Sequence, residues 1–345
     1  MRNVTKALGV AVAGAGVALV ATPAQAAGTQ AGSTITNTVT VNYQVGGISQ
    51  TAQSASNSIT VDRKVNITIA SAATTTTVSP GQTSASTAFT VTNSSNDTID
   101  IGLAVVNQSG GTAQHGGTDV IDVSNYKFYS DAALTTQITW LDEVAPDASR
   151  TIYVSADVPI SATNGQVAGD ILTATAEAGG SSGTQGSVLT ATAGANTAGV
   201  DTVFADGAGA TDAANDGKYS AKGDYTVSAP VLTVTKTSTL ISDPVNGTTN
   251  PKAIPGAVME YCIQVANAAG AATATNLGVS DPLPSTVTYS SAYGIFVNGT
   301  VTGSTCNADG SAGGSYNAGT TTVSGTLNNL AAGATETLRF RTTIN

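Results

Sequence analysis

Two series of short alternating runs follow each other along this chain in the same order. The first begins with Val-Asn-Ile-Thr-Ile-Ala at residue 65 and the second with Val-Leu-Thr-Val-Thr-Lys-Thr at residue 231, and each continues through a Pro-Gly pair to a late closing strand. Alternation of apolar and polar residues is typical of β-strands with one buried face. An internal repeat of such strands predicts two copies of one β-sandwich plan. We therefore predict an all-β fold with two tandem immunoglobulin-like β-sandwiches, over residues 63–229 and 230–345.

The strand after each Pro-Gly pair ends on an asparagine. In the first series, Phe89 and Val91 alternate toward one face before Asn93, and in the second, Ile263 and Val265 do so before Asn267. Asparagine tolerates the backbone conformation of a tight turn. We therefore expect Asn93 and Asn267 to end equivalent strands.

A stretch ahead of the first series, residues 27–62, predicts an N-terminal β-arm. Two alternating runs flank Gly46-Gly47, which is a hairpin signature. An uncharged strand without a partner invites addition to a neighbouring sheet. The alternative is that the arm folds back on its own sandwich as an ordinary edge hairpin. The apolar positions that define the arm are Ile35, Val39, Val41, Tyr43, Val45, Ile59 and Val61.

The first 26 residues predict a secretory signal peptide. Arg2 and Lys6 precede an apolar run over residues 7–21, and the small-residue site Ala24-Gln25-Ala26 follows. The run is shorter than the roughly 20 apolar residues that a membrane span needs. We therefore predict an extracellular or cell-surface protein with no membrane span after cleavage.

The acidic net charge of the chain restricts the kinds of partner that it can bind. The chain has a formal net charge of −10, and charged residues make up only 10% of it. Binding to nucleic acid or to anionic lipid requires clustered Lys and Arg. We therefore expect neither partner.

The two cysteines, Cys262 and Cys306, predict one disulfide. Disulfides persist in exported chains, and closing a loop of this length stabilises a fold by about 4 kcal/mol in the chain-entropy model. Their separation of 44 residues excludes a Cys-x-x-Cys redox site, and their number excludes a four-cysteine zinc site.

An acidic and glycine-rich insertion at about residues 178–222 is a candidate calcium site, because Ca²⁺ binds hard oxygen ligands. The EF-hand order fails, since no Glu follows Asp212-Ala-Ala-Asn-Asp-Gly at the twelfth position. The alternative is a turn-rich connection without metal. The candidate ligands are Asp201, Asp206, Asp212, Asp216 and Asp224.

The second series, Val231 to Ile344, resembles the bacterial surface repeat known as the domain of unknown function number eleven. The matching motifs are LTVTKT, PGAVMEYCIQVANAAGAATATNLGVSDPLP and LAAGATETLRF. The first series, from Val65 to about Glu177, resembles a related immunoglobulin-like module. The resemblance implies a sandwich of a bacterial surface or secreted protein, and it brings no catalytic residues.

Catalytic chemistry is not expected. The only histidine, His115, lies in a Gly-rich stretch and is expected to be an exposed loop residue. The neighbouring acids Asp142 and Glu143 alternate along the chain, which does not favour a hydrolase. We therefore predict no enzymatic activity.

Together these features predict a non-enzymatic extracellular structural protein. The most concrete form is a subunit of a bacterial filament or surface assembly whose partner is another copy, joined by strand addition through the arm. The alternative is a monomeric adhesin or glycan-binding module that holds host or matrix surfaces with loops such as 110–119 or 201–224.

Overall fold

A computed structural model of the chain describes residues 28–345. The predicted signal peptide lies outside these residues. Every regular element between residues 28 and 345 is a β-strand. The all-β prediction is therefore confirmed.

The N-terminal arm is a hairpin. Its long strands pair antiparallel from Thr34↔Thr60 to Val41↔Gln53. At the tip, Gly46 and Gly47 both have positive φ, 61° and 83°, as a type I′ hairpin turn requires. The Gly-Gly signature therefore predicted the turn correctly. The strands are β1 (Thr34–Val41), β2 (Gln44–Val45), β3 (Ile48–Ser49) and β4 (Gln53–Thr60).

Sandwich 1, residues 63–229, contains two five-stranded sheets. Their orders are β11-β10-β13-β8-β6 and β12-β9-β14-β16-β7, and β15 pairs with β5 in a small parallel sheet. Fully buried side chains such as Phe89, Ile101, Ile152 and Leu172 form its core, where period-two strands place them. The strands are β5 (Arg63–Val65), β6 (Ile67–Ser71), β7 (Thr76–Val78), β8 (Ala85–Asn93), β9 (Ile99–Asn107), β10 (Ser124–Tyr129), β11 (Gln137–Ile138), β12 (Trp140–Val144), β13 (Ser149–Asp157), β14 (Val167–Ala178), β15 (Thr202–Phe204) and β16 (Lys218–Val227).

The acidic insertion is shorter than predicted. Its last five residues, 218–222, begin β16, which pairs with β14 from Thr175↔Lys218 to Val167↔Thr226. The connection therefore joins two neighbouring strands of sandwich 1, and Asp224 lies inside the sheet.

Sandwich 2, residues 230–345, pairs a large sheet with a small one. The six-stranded sheet has the order β17-β18-β27-β21-β24 with β20 also on β27, and the three-stranded sheet has the order β19-β26-β25. Ile263, Val323, Leu338 and Phe340 are buried between them. The strands are β17 (Leu232–Ser242), β18 (Val258–Asn267), β19 (Gly278–Pro282), β20 (Val287–Tyr289), β21 (Ile295–Val297), β22 (Val301–Thr302), β23 (Thr305–Cys306), β24 (Ser311–Ala312), β25 (Ser315–Asn317), β26 (Thr322–Thr326) and β27 (Thr335–Ile344).

The predicted disulfide is present. Cys262 on β18 is bonded to Cys306 on β23, with their Cα atoms 5.5 Å apart. It ties the small β22–β23 hairpin to the large sheet. The immunoglobulin-like classification of each sandwich stays a prediction.

Asn93 and Asn267 end equivalent strands, β8 and β18, and both are buried. Asn93 donates to the carbonyls of Asp97 and Val144 at 2.9 and 2.8 Å. Asn267 donates to the carbonyls of Ala272 and Leu330 at 2.8 and 3.0 Å. Each amide therefore satisfies backbone groups at one end of its sandwich, which is a stronger requirement for asparagine than turn tolerance.

Replacing Asn267 by alanine is expected to lower the free energy of unfolding of sandwich 2 by about 3 kcal/mol. The change removes the partner of two carbonyls and of the Val231 N–H, which donates to Asn267 at 3.0 Å, and each buried group left without a partner costs about 1–3 kcal/mol. Urea unfolding measures the loss. Exposed Asn329 is the control, and its replacement by alanine should change stability by less than about 0.5 kcal/mol. An equal effect of the two changes would contradict the bridging role.

Candidate functional site

The arm has two chemically different faces. Because side chains alternate along a strand and the register is known, Ile35, Val39, Val41 and Ile59 share one face with Asn37, Gln53, Ala55 and Asn57. The opposite face carries hydroxyl side chains only, and the hydroxyls of Thr36 and Ser58 lie 2.7 Å apart across it. Its residues are Thr34, Thr36, Thr38, Thr40, Ser54, Ser56, Ser58 and Thr60.

Nothing in residues 28–345 covers the apolar face. The side chains of Ile35, Val39, Val41 and Ile59 are 48%, 59%, 55% and 56% exposed. An isolated two-stranded hairpin is marginally stable in water at best. A face of this kind is therefore a candidate contact surface.

Toward the tip, Tyr43, Val45 and Ile48 are exposed as well. Val61, the last of the predicted arm positions, is half-buried at the root. The arm residues predicted from the sequence therefore divide into six exposed positions along the hairpin and one at its base.

The root of the arm is fixed to the turn between β8 and β9. The Asn96 side chain donates to the carbonyls of Thr29 and Asp62 at 3.0 and 2.8 Å, and Ala31 donates to the Asn96 carbonyl at 3.0 Å. In the described part of the chain, β1 and β4 pair with each other and with no strand of sandwich 1. The hairpin therefore projects from sandwich 1 instead of extending one of its sheets.

The five candidate calcium ligands do not come together. Asp206 accepts from the N–H groups of Asp216 and Gly217 at 3.1 and 3.0 Å, which closes the turn before β16. Asp201 accepts from the Thr197 N–H at 2.8 Å, and Asp212 accepts from the Gly209 N–H at 3.0 Å.

The other two candidates are also engaged. Asp216 accepts from the Lys218 N–H at 2.9 Å, and Asp224 accepts from the His115 N–H at 2.6 Å. Each carboxylate is thus held by protein donors at a different place. Calcium binding by these five residues stays a prediction.

A different set of acids does converge. Within residues 28–345, ligand oxygens of Asp100, Asp142 and Glu143 lie within 4.8 Å of one another. Backbone N–H groups of one loop donate to all three acids. The Gly186 N–H donates to Asp100 at 2.9 Å, the Ser181 N–H donates to Glu143 at 2.9 Å, and the Gly183 N–H donates to Asp142 at 3.0 Å. These acids therefore anchor the loop that follows β14. The pairing of β9 with β12 brings them together, which no local pattern indicates.

The expectation for His115 was wrong. The side chain is half-buried, its Nδ1 lies 2.8 Å from Asp224 and its Nε2 lies 2.8 Å from the Ala72 carbonyl. Burial lowers the pKa of His115, but the hydrogen bonds to Asp224 and Ala72 outweigh it and raise the pKa above 6.5. The pair fastens the loop over residues 110–119 to β16.

Sequence reasoning missed Asp170, a fully buried carboxylate on β14. Neither oxygen has a partner of good geometry among residues 28–345. Burial and then the nearby charge of Asp224 raise the pKa of Asp170 to about 7, and the N–H groups of Asp170 and Gly223 offset this only in part. Asp170 lies two residues before Leu172, so the two side chains share one face of the strand, and this alternation could have indicated that Asp170 is buried. Because Asp170 is shielded from solvent, we assign it no contact with a substrate.

No helix that is long and apolar enough to cross a membrane occurs in residues 28–345. No protein-family model matches the chain, so the resemblance to the domain of unknown function number eleven stays a prediction. No curated protein matches it either.

Two solved structures show distant similarity to this chain. One is the C-terminal domain of the AgI/II polypeptide BspA from Streptococcus agalactiae, with 8% identity over 81% of this chain and 91% of that chain, and a TM-score of 0.36. Another is a putative membrane anchored protein from Corynebacterium diphtheriae, with 11% identity over 90% of this chain and 89% of that chain, and a TM-score of 0.20. At these values neither similarity carries an argument about what this chain does.

Proposed function

We propose that this chain is a non-enzymatic structural subunit that assembles with further copies of itself outside the cell through its N-terminal arm. The observation that carries the proposal is the uncovered apolar face of the β1–β4 hairpin. Period-two alternation over two paired strands is the pattern of a sheet that packs on one side. Within residues 28–345 of one chain, this face packs on nothing.

The composition of the arm supports self-assembly. Residues 28–61 contain no charged side chain. Natural proteins protect exposed strand edges with charges, prolines or bulges, and the long strands of this hairpin have none of these. The free edges of β1 and β4 are therefore suited to strand addition.

Removing residues 28–61 is expected to leave a folded monomer that no longer assembles. The sandwiches should fold because the arm contributes no buried side chain to their cores. Electron microscopy and light scattering of the exported chain, with and without the arm, measure assembly, and urea unfolding checks the sandwiches. Unchanged assembly without the arm would refute the proposal.

The outcome also separates this function from the alternative. An intact chain that stays monomeric at every concentration, and that binds sugars or matrix proteins saturably, would favour the adhesin or glycan-binding function instead.

A further inference from the structure

Sandwich 2 has an open side between two edge strands. β17 ends the six-stranded sheet and β19 ends the three-stranded sheet, and a groove of about 760 Å³ lies between them. Leu232 and Val234 of β17, Val265 of β18, and Leu277 and Val279 line it. None of its lining residues is charged.

The groove lies where a further strand beside β19 would cover β17. Val234 lies opposite Val265 in the register, so both side chains point toward the interior. Val265 is only 4% exposed, whereas Val234 is 65% exposed and Leu232 is 45% exposed. The three-stranded sheet ends at β19 and so leaves the inward face of β17 uncovered.

The backbone beside the groove is also open. β19 pairs with β26 on one side, and in residues 28–345 no strand pairs with its other edge. Lys236 and Asp281 form a salt bridge of 2.6 Å between β17 and β19. At the start of β17, Pro80 of sandwich 1 and Pro230 line the groove. The groove is therefore bounded at both ends, and the free edge of β19 offers backbone donors and acceptors to a short added strand.

We propose that β1 from a second copy of this chain pairs with the free edge of β19 and covers Leu232 and Val234 with its apolar face. This inference rests on the proposed function and names the surface that receives the arm. Val39 and Val41 are two residues apart on one face of β1, and the residues that they would cover are two residues apart on one face of β17. The hydroxyl face of the arm would then face solvent. The arm and the lining of the groove are both free of charged residues, so no charge opposes their contact.

Within residues 28–345 of one chain, the apolar face of the arm and the groove are both uncovered, which favours a second copy over the chain's own arm. The arm is rooted at the Asn96 turn, after β8, and the groove adjoins the Pro80 turn, before β8. The nine residues of β8 separate the turns by about 30 Å. A donor at one end and an acceptor at the other form a head-to-tail contact that does not close on itself, which produces a filament.

Two substitutions test the pairing in the full exported chain. Val234→Lys places a charge in the groove and leaves the arm intact, whereas Val39→Lys places one on the arm and leaves the groove intact. Both positions are exposed in the monomer, so both variants should fold. The matched controls are Val245→Lys, exposed and away from the groove lining, and Thr38→Lys on the hydroxyl face.

We expect each groove or arm variant alone to be monomeric in light scattering and each control to assemble like the parent chain. Mixing the Val234→Lys and Val39→Lys chains should give dimers and nothing longer, because the mixture contains one working arm and one working groove per pair. Val234→Thr keeps the shape of the side chain and adds only a hydroxyl group, so this variant should fold like the parent chain. Weaker assembly of this variant would then not be caused by a folding defect.

Four results would overturn the inference. Assembly of Val234→Lys at the level of the parent, with loss of assembly when residues 28–61 are removed, would leave the proposed function standing and place the acceptor elsewhere. A mixture that stays monomeric would also refute this pairing. Parent chains that are monomeric at every concentration, with an arm protected from proteolysis, would show that the arm closes on its own chain. Assembly that persists without the arm would refute the proposed function itself.

Discussion

Replacing Asp170 by asparagine is expected to remove most of the pH dependence of the stability of sandwich 1 between about pH 4 and pH 7. The ordinary pKa of an aspartate is 3.8, and burial together with the charge of Asp224 raises the pKa of Asp170 in the fold to about 7. The folded state therefore binds this proton more tightly, so stability falls as the pH rises through this window and the whole cost is present above about pH 7. That cost is about 4 kcal/mol, and an uncharged asparagine avoids it.

Unfolding in urea at pH 4, 6 and 8 measures the effect. The asparagine variant should match the parent near pH 4 and be more stable at pH 8. Asp122→Asn is the control, since this acid is exposed and should leave the slope unchanged. A variant that is less stable than the parent at pH 8 would mean that the charged carboxylate has favourable partners in the fold.

Several other titratable groups lie close to Asp170. Asp224 contributes the nearest charge, and Tyr126 and Tyr225 are neutral because their pKa values are raised by burial and by Asp170. His115 titrates beside Asp224. Its raised pKa contributes stability below pH 6.5 that is lost at higher pH, which is the same direction as Asp170. A His115→Gln background therefore separates the two contributions.

Replacing both Cys262 and Cys306 by serine is expected to lower the stability of sandwich 2 by about 4 kcal/mol. The disulfide closes a loop with a sequence separation of 44, and the loss of this constraint frees the unfolded chain. A domain is typically stable by only about 5–15 kcal/mol, so the variant should unfold at a much lower concentration of urea.

The protein contains its own control for this change. Sandwich 1 has no cysteine, and its unfolding should be unaffected. The parent chain in reductant should behave like the double-serine variant. If the two sandwiches lost stability together, the loss could not be assigned to the cross-link.

Local patterns predicted the fold well because strand alternation and turn chemistry are local properties. The Gly46-Gly47 hairpin and the buried face of β8 follow from a few neighbouring residues. The N-terminal arm was predicted for the same reason, because its alternation is regular and no charge interrupts it.

The remaining features depend on residues that are distant in sequence. The half-buried side chain of His115 is held by Asp224, which lies 109 positions away, and its glycine neighbours indicated an exposed loop residue instead. The groove of sandwich 2 exists because the sheet of β19 is narrower than the sheet of β17. Neither strand alone indicates whether a neighbour will cover it.

The hairpin form of the arm has a consequence for the entropy of binding. Fixing a disordered residue costs about 1–2 kcal/mol in backbone freedom, but β1 and β4 are already held in one register by their own ladder. Their Thr, Ser, Val and Ile side chains also have few rotamers to lose compared with Lys or Glu. Each arm residue that is already paired in this ladder costs less to order when it meets a partner, so more of the apolar surface that the arm buries contributes to affinity.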